Sequence, residues 1–377
     1  MTNWKTYYEN YPVNQELIWL NNCGTTPVGR RTITDVTRYL EAYSKQGVFN
    51  ELEKYSNVKR RITEILSQLL NCHSEEIGII HNTSEGINFI SQGLDLHRGE
   101  EILLLENEYP SNVYPFQHWE EKGIHLKFIP MADTPAKFLD NVKSSISPNT
   151  KAISLSLVHW CTGMPLPTTE IGQICKENGI DFILDGAQGV GLLDVDVQKM
   201  NVSYMAFPAW KWLLGPLGLG GIYVAKDKLA TMKTIFKGQS SVVNADEYLP
   251  YKTEIRPGAD RFEYSTGNFT DWVYWKSTLE MLSEIGFPIV RERIYTLKEY
   301  LADGLRKNRF RIYSDHFPES KTGILACDKS GVDSAELVKI LRDNKVISAV
   351  RLGRVRFAPH IYNSFEQLDR VIELLKN

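Results

Sequence analysis

Residues 181–224 read DFILDGAQGVGLLDVDVQKMNVSYMAFPAWKWLLGPLGLGGIYV. The apolar run that ends in Asp185 predicts a buried parallel strand whose last residue leaves the sheet edge. Gln188 follows within one turn. A second short strand is expected from Ser203 to Phe207, running on to Lys211, which stands between Trp210 and Trp212. A glycine-rich turn (Gly215, Gly218, Gly220, Gly221) then re-enters a strand from Ile222 to Val224. In an α/β sheet, residues just past the carboxyl ends of the strands converge on one crevice. An acid and a lysine from neighbouring strands are therefore expected to face the same site.

Pyridoxal phosphate (PLP) uses that pair. A lysine amine holds its aldehyde as a Schiff base, and a carboxylate keeps its pyridine nitrogen protonated so that the ring can take up electrons. Bulky apolar neighbours would lower the lysine pKa and favour the free amine. On spacing alone, the same residues also read as a helix N-cap at Asp185 and a surface lysine at 211.

The rest of the chain narrows the choice. Its 377 residues are too many for one hydrophobic core and suggest a large domain with a smaller one. With 42% hydrophobic and 24% charged residues and a net charge of −3, the composition predicts no nucleic-acid or anionic-membrane footprint. No apolar run is long enough for a transmembrane helix, and the polar start predicts no signal peptide. The cysteines (Cys23, Cys72, Cys161, Cys175, Cys327) are odd in number and scattered. They argue against a disulfide framework or a zinc site and fit a reducing cytoplasm.

Residues 1–30 read as an arm, in which LIWLNNCGTTPVGR is a short strand followed by a connector or an active-site loop. Helical periodicity covers 31–70. A strand over Ile77–Ile80 then turns through Thr83-Ser84-Glu85-Gly86 into a helix, a geometry that either caps the helix or offers free N–H groups to an anion. Further strands are expected over 102–105, 125–130 and 152–157. Tyr109 lies past the first of these, where it can lie flat on a cofactor ring or pack as core. His159, Trp160 and Cys161 lie past the last. After residue 225 the alternation stops. A long polar loop (237–262) precedes two helices, and a compact α+β unit closes the chain. Its short strands carry Arg351 and Arg356, suited to bidentate carboxylate binding or to surface pairing.

These segments resemble, in order and over about residues 18–376, the class V, fold-type I PLP enzymes. That group includes cysteine desulfurases, isopenicillin N epimerase-like proteins, kynureninases, aminotransferases and carbon–sulfur lyases. The resemblance implies a large α/β domain with a mostly parallel sheet (31–265), a small α+β C-terminal domain (266–377) and the arm (1–30). TSEGIN resembles the phosphate turn and implicates Thr83 and Ser84. EYPSNVYPFQ resembles the segment of the ring-stacking residue, here Tyr109. DGAQ supplies Asp185 as pyridinium partner and Gln188 beside the ring oxygen, and the lysine of KWLLGP matches the Schiff-base lysine, Lys211. RFEYSTGN resembles the loop whose threonine, here Thr266, reaches the cofactor phosphate of a second subunit, implying a homodimer. VRFAPHIYN resembles the segment whose arginine, here Arg356, binds the substrate α-carboxylate.

Three departures stand out. Pro208-Ala209-Trp210 replaces the family's Ser-x-His, so the Trp210 indole N–H would substitute for one phosphate donor. Trp160 stands where desulfurases place an asparagine over the cofactor. Only Leu-Gly-Arg-Val separates Arg351 from Arg356, which omits the desulfurase loop with its nucleophilic cysteine and argues against a persulfide-forming desulfurase. The implied activity is transamination of an amino acid, with carbon–sulfur β-elimination or epimerisation as alternatives. A non-catalytic homologue is a further reading, opposed by the retained Asp185, Gln188, Lys211 and Arg356.

Overall fold

The computed structural model describes residues 2–47 and 52–376. Residues 48–51 of the expected helical stretch, and the two terminal residues of the expected arm and small domain, lie outside these.

The arm holds α1 (Trp4–Asn10) and β1 (Ile18–Trp19), followed by α2 (Arg30–Gln46) and α3 (Leu52–Leu70). The main unit comprises β2 (Ile77–Ile80), α4 (Thr83–Gly93), β3 (Glu101–Leu105), β4 (His125–Ile129), α5 (Pro135–Ser145), β5 (Thr150–Ser156) and α6 (Thr168–Asn178). It continues through β6 (Asp181–Asp185), β7 (Tyr204–Pro208), β8 (Gly220–Val224) and α7 (Lys226–Thr231). Then come α8 (Phe269–Ile285), α9 (Phe287–Lys307), β9 (Phe310–Ile312), β10 (Leu325–Lys329), α10 (Ser334–Asp343), β11 (Val346–Ile347), β12 (Ala349–Arg351), β13 (Arg354–Phe357) and α11 (Phe365–Leu374).

Seven strands form the large sheet in the order β2-β8-β7-β6-β5-β3-β4. β8 runs against both of its neighbours, and the other strands share one direction. Strand side chains alternate between two cores. Leu103, Leu105, Ile153, Leu155, Phe182, Leu184, Met205 and Phe207 enter one. Ile102, Leu104, Ala152, Ile183, Tyr204, Ala206 and Ile222 enter the other. Burial on both faces is why these strands read as continuous apolar runs rather than alternating ones. Gly86 lets α4 lie close on the sheet: a Cβ there would come within 2.6 Å of Ala206 Cβ and Ile80 Cδ1.

The carboxyl ends of β2, β3, β5, β6 and β7 meet at one edge, and the antiparallel β8 brings its beginning, near Gly218, to the same edge. A smaller antiparallel sheet, β12-β13-β10-β9, covers that edge. β9, only three residues long, carries too short a pattern to be expected from the sequence. The arm joins this smaller unit. β1 pairs in parallel with β11, and Ile18 and Leu20 lie in the core of the small unit. α8 packs along α2 and α3. The expected loop 237–262 holds two 3-10 turns and a bridge between Val242 and Ile255, and it exposes Tyr248, Leu249 and Tyr251 by 73, 72 and 88%.

Candidate active site

Thr83, Ser84, Tyr109, Trp160, Asp185, Gln188, Trp210, Lys211 and Arg356 all line one cavity of about 690 Å³ at this edge. Thr266 does not line it. It is exposed, beside Tyr264 and Ser265 in a separate shallow recess.

One end of the cavity is built for an anion. Helix α4 begins at Thr83, earlier than the sequence suggested, because Asn82 caps it: its Oδ1 accepts from the Glu85 N–H at 2.9 Å. The first-turn N–H groups of Thr83 and Ser84 have no backbone partner inside the helix and stand at the positive end of its dipole. Ser84 Oγ donates to Ser111 Oγ at 2.7 Å, tying this turn to the loop that carries Tyr109. Pro208 and Trp210 line the same cavity.

The middle holds the acid–lysine pair. Asp185 is 3% exposed and accepts the Ala187 N–H at 2.8 Å. Burial raises its pKa, and Lys211 opposes that shift. Burial also lowers the Lys211 amine to about 8; Asp185 and Cys23 pull it up, Arg356 and Arg351 push it down. A second carboxyl lies behind Asp185. Glu108 is buried, and desolvation together with the Asp185 charge raises it to about 7. It accepts from Ser156 Oγ (2.6 Å), Ser156 N (2.9 Å) and Tyr109 N (2.7 Å), which anchors the Tyr109 loop to the end of β5. Tyr109 is not core: it is 43% exposed, its ring centroid 5.8 Å from Lys211 Nζ and 5.7 Å from the Trp160 ring, nearly perpendicular to it.

Gln188 is held at both ends of its amide. Its Nε2 donates to Cys23 O at 2.9 Å, and its Oε1 accepts from Trp212 Nε1 at 3.1 Å. One amide hydrogen remains free.

The far wall comes from the arm and the small unit. Asn21, Cys23, Gly24 and Thr25 line the cavity, which makes the arm an active-site loop rather than a connector. Asn22 is fully buried; its Nδ2 donates to Lys211 O (3.1 Å) and its Oδ1 accepts from Tyr362 Oη (2.9 Å). Arg356 is 3% exposed and donates Nη1 to Trp160 O at 2.6 Å, while its buried Nε has no partner. Arg351, whose surface pairing was an open alternative, also lines the cavity. β12 and β13 are joined by Leu352 and Gly353 alone, both at positive φ (46° and 73°). That is a two-residue hairpin turn, which leaves no room for a cysteine-bearing loop. Asn21, Cys23, Ser111 and Glu108 are among the site residues that sequence reasoning missed. No local motif marks the first two, and only the proximity of Ser111 and Glu108 to Tyr109 could have drawn attention to them.

The donor set fits a phosphorylated aromatic aldehyde: anion donors at one end, a carboxylate and an amine of lowered pKa in the middle, and aromatic rings at the side. Among the described residues, no cluster of His, Cys, Asp or Glu could hold a metal ion, and no helix is long and apolar enough to cross a membrane.

Comparison with known proteins identifies the family and the fold. Residues 18–370 match the model of the aminotransferase class-V family. A probable cysteine desulfurase of Methanothermobacter thermautotrophicus is 23% identical over 97% of this chain and 95% of its own length. The structure of C-DES with glycine covalently linked to its PLP cofactor superposes with a TM-score of 0.90 at 22% identity, over 98% of both chains. C-DES described as a cystine C–S lyase, in complex with its product cysteine persulfide, gives 0.89 at 23% identity, over 97% of this chain and 99% of its own. The chain belongs to the class V aminotransferase family of PLP-dependent enzymes, with their fold-type I architecture.

Proposed function

We propose that this enzyme acts at the α-carbon of an amino acid and transfers its amino group, with Lys211 as the cofactor-carrying lysine. The observation that carries the reading is the meeting of Lys211, Asp185 and Arg356 in one cavity. Thr83 and Ser84 N–H groups and the Trp210 indole hold the phosphate. Asp185 holds a proton at the ring nitrogen, Gln188 offers its free N–H to the ring oxygen, and Tyr109 and Trp160 keep water from the ring. Arg356 grips the substrate α-carboxylate through its fork. As a free amine, Lys211 would take the α-proton and return it. When bound, the cofactor supplies the electron sink for charge developing at the α-carbon.

A second reading, elimination at a carbon–sulfur bond, draws support from the relatives named as a cysteine desulfurase and a cystine C–S lyase. A persulfide-forming desulfurase remains disfavoured, since the Arg351–Arg354 turn carries no thiol. Cys23 is the thiol in the cavity wall. Exposed Leu217, Tyr248, Leu249 and Tyr251, together with Thr266 outside its own cavity, support a homodimer in which Thr266 completes the partner's phosphate site. Five free cysteines support a reducing cytoplasm.

Titrating the holoenzyme with L-amino acids, without a keto-acid acceptor, tests the choice. Stoichiometric conversion of the visible absorption band to that of the aminated cofactor is expected for transamination. A band that recovers while a keto acid and a sulfur product accumulate would replace it with the lyase reading.

A further inference from the structure

The β12–β13 hairpin carries three arginines on one face. Its register pairs Arg351 with Arg354 and Ala349 with Arg356. Opposite residues share a face, and so do residues two apart, which puts Arg351, Arg354 and Arg356 on the same side. Arg351 and Arg356 are diagonal neighbours, with backbone positions about 7–8 Å apart. Arg354 turns away, its guanidinium carbon 3.9 Å from the Tyr313 ring centroid. The other two line the cavity.

Neither has an anion of its own. Among the described residues no carboxylate lies within ion-pair distance of either, and their donors reach only carbonyls: Trp160 O for Arg356 and Val350 O for Arg351. The acid lining the cavity is Asp185, and Lys211 answers its charge. The proposed phosphate site uses donors of other elements. Arg356 is 3% exposed and Arg351 half-buried, and a guanidinium drawn out of water is best compensated by a paired, hydrogen-bonded anion. An amino acid with a single carboxylate would satisfy Arg356 and leave Arg351 unmatched.

We infer that the substrate is an amino acid whose side chain ends in a second carboxylate, with Arg356 binding the α-carboxylate and Arg351 the distal one. This rests on the α-carboxylate role given to Arg356 above. The short hairpin turn supplies the device, because its two-residue register places both residues on one face and both side chains line the one cavity.

Calorimetry on the holoenzyme with unreactive acids tests this without turnover. Succinate or glutarate is expected to bind at least ten-fold more tightly than butyrate. Arg351→Gln should shrink that gap to less than three-fold while butyrate affinity stays within two-fold, and Arg351→Lys should restore part of it. The cofactor absorbance of each variant verifies an intact site. Equal affinity for mono- and dicarboxylates in the unmodified enzyme would overturn the inference. So would an Arg351→Gln enzyme that loses butyrate as strongly as succinate, since both arginines would then hold one carboxylate. An Arg356→Gln enzyme with undiminished butyrate affinity would instead refute the role of Arg356, whatever Arg351 does.

Discussion

The strand-end floor of the cavity and its small-unit wall differ in how far apart in the chain their residues lie. Asp185, Gln188, Trp210 and Lys211 fall within 27 consecutive positions, each at or after a strand end. The wall joins Asn21–Thr25 of the arm to Arg351 and Arg356, over three hundred residues later. Long-range ties hold it, among them the parallel pairing of β1 with β11, the chain Tyr362–Asn22–Lys211 and the bond from Gln188 to Cys23 O. The wall also braces the floor, since Cys23 O accepts from Gln188 and Asn22 donates to Lys211 O. The proposed function assigns chemistry to the floor and selection of the substrate to the wall.

Variants can break that division, and the largest effect is expected at the floor. Lys211→Ala should remove the absorbance of lysine-bound cofactor and lower turnover by at least about 1,000-fold, in keeping with loss of a positioned base. A variant with normal absorbance and turnover would end the assignment. At the wall, Arg356→Gln should lower kcat/KM roughly 100-fold while leaving the cofactor absorbance intact, because it removes the buried cation proposed to pair with the substrate carboxylate. Loss of the absorbance instead would place Arg356 with the cofactor.

The pH dependence of cofactor loading sharpens the contrast further. Only the unprotonated Lys211 amine attacks an aldehyde. Loading of the apoenzyme should thus be slow at low pH and rise with a midpoint of about 8, instead of the ~10.4 of a free lysine. Arg356 helps to hold that amine down. Arg356→Gln should consequently move the midpoint upward, and an unmoved midpoint would show that wall and floor do not communicate electrostatically.

Two smaller effects concern the scaffold. Asn22→Ala takes the acceptor from the buried Tyr362 hydroxyl and one of two donors from the Lys211 carbonyl, which keeps the Leu214 N–H; this should cost about 1–3 kcal/mol in denaturant unfolding, with cofactor absorbance retained. A cost near zero would mean that the arm is not anchored there. Leu352 holds a left-handed conformation while 57% exposed. Leu352→Asn should stabilise the chain by about 1 kcal/mol by relieving that conformation, and a destabilised variant would show that the leucine side chain contributes packing the turn needs.

The amino-acid order alone was enough for the alternation of strands and helices, the strand-end placement of Asp185 and Lys211, and the shortened hairpin between Arg351 and Arg356. Each is a local property, carried by burial on both sheet faces or by the number of residues between two others. The choice between core and cavity for Tyr109, between connector and site for the arm, and between surface and site for Arg351 was not local. Both alternatives satisfy the same short-range pattern, and only the partners met across the fold separate them. Glu108 and Cys23 were silent for the same reason: a carboxyl beside Asp185 or a thiol beside Lys211 acquires meaning from desolvation and proximity, which arise only once distant segments pack together.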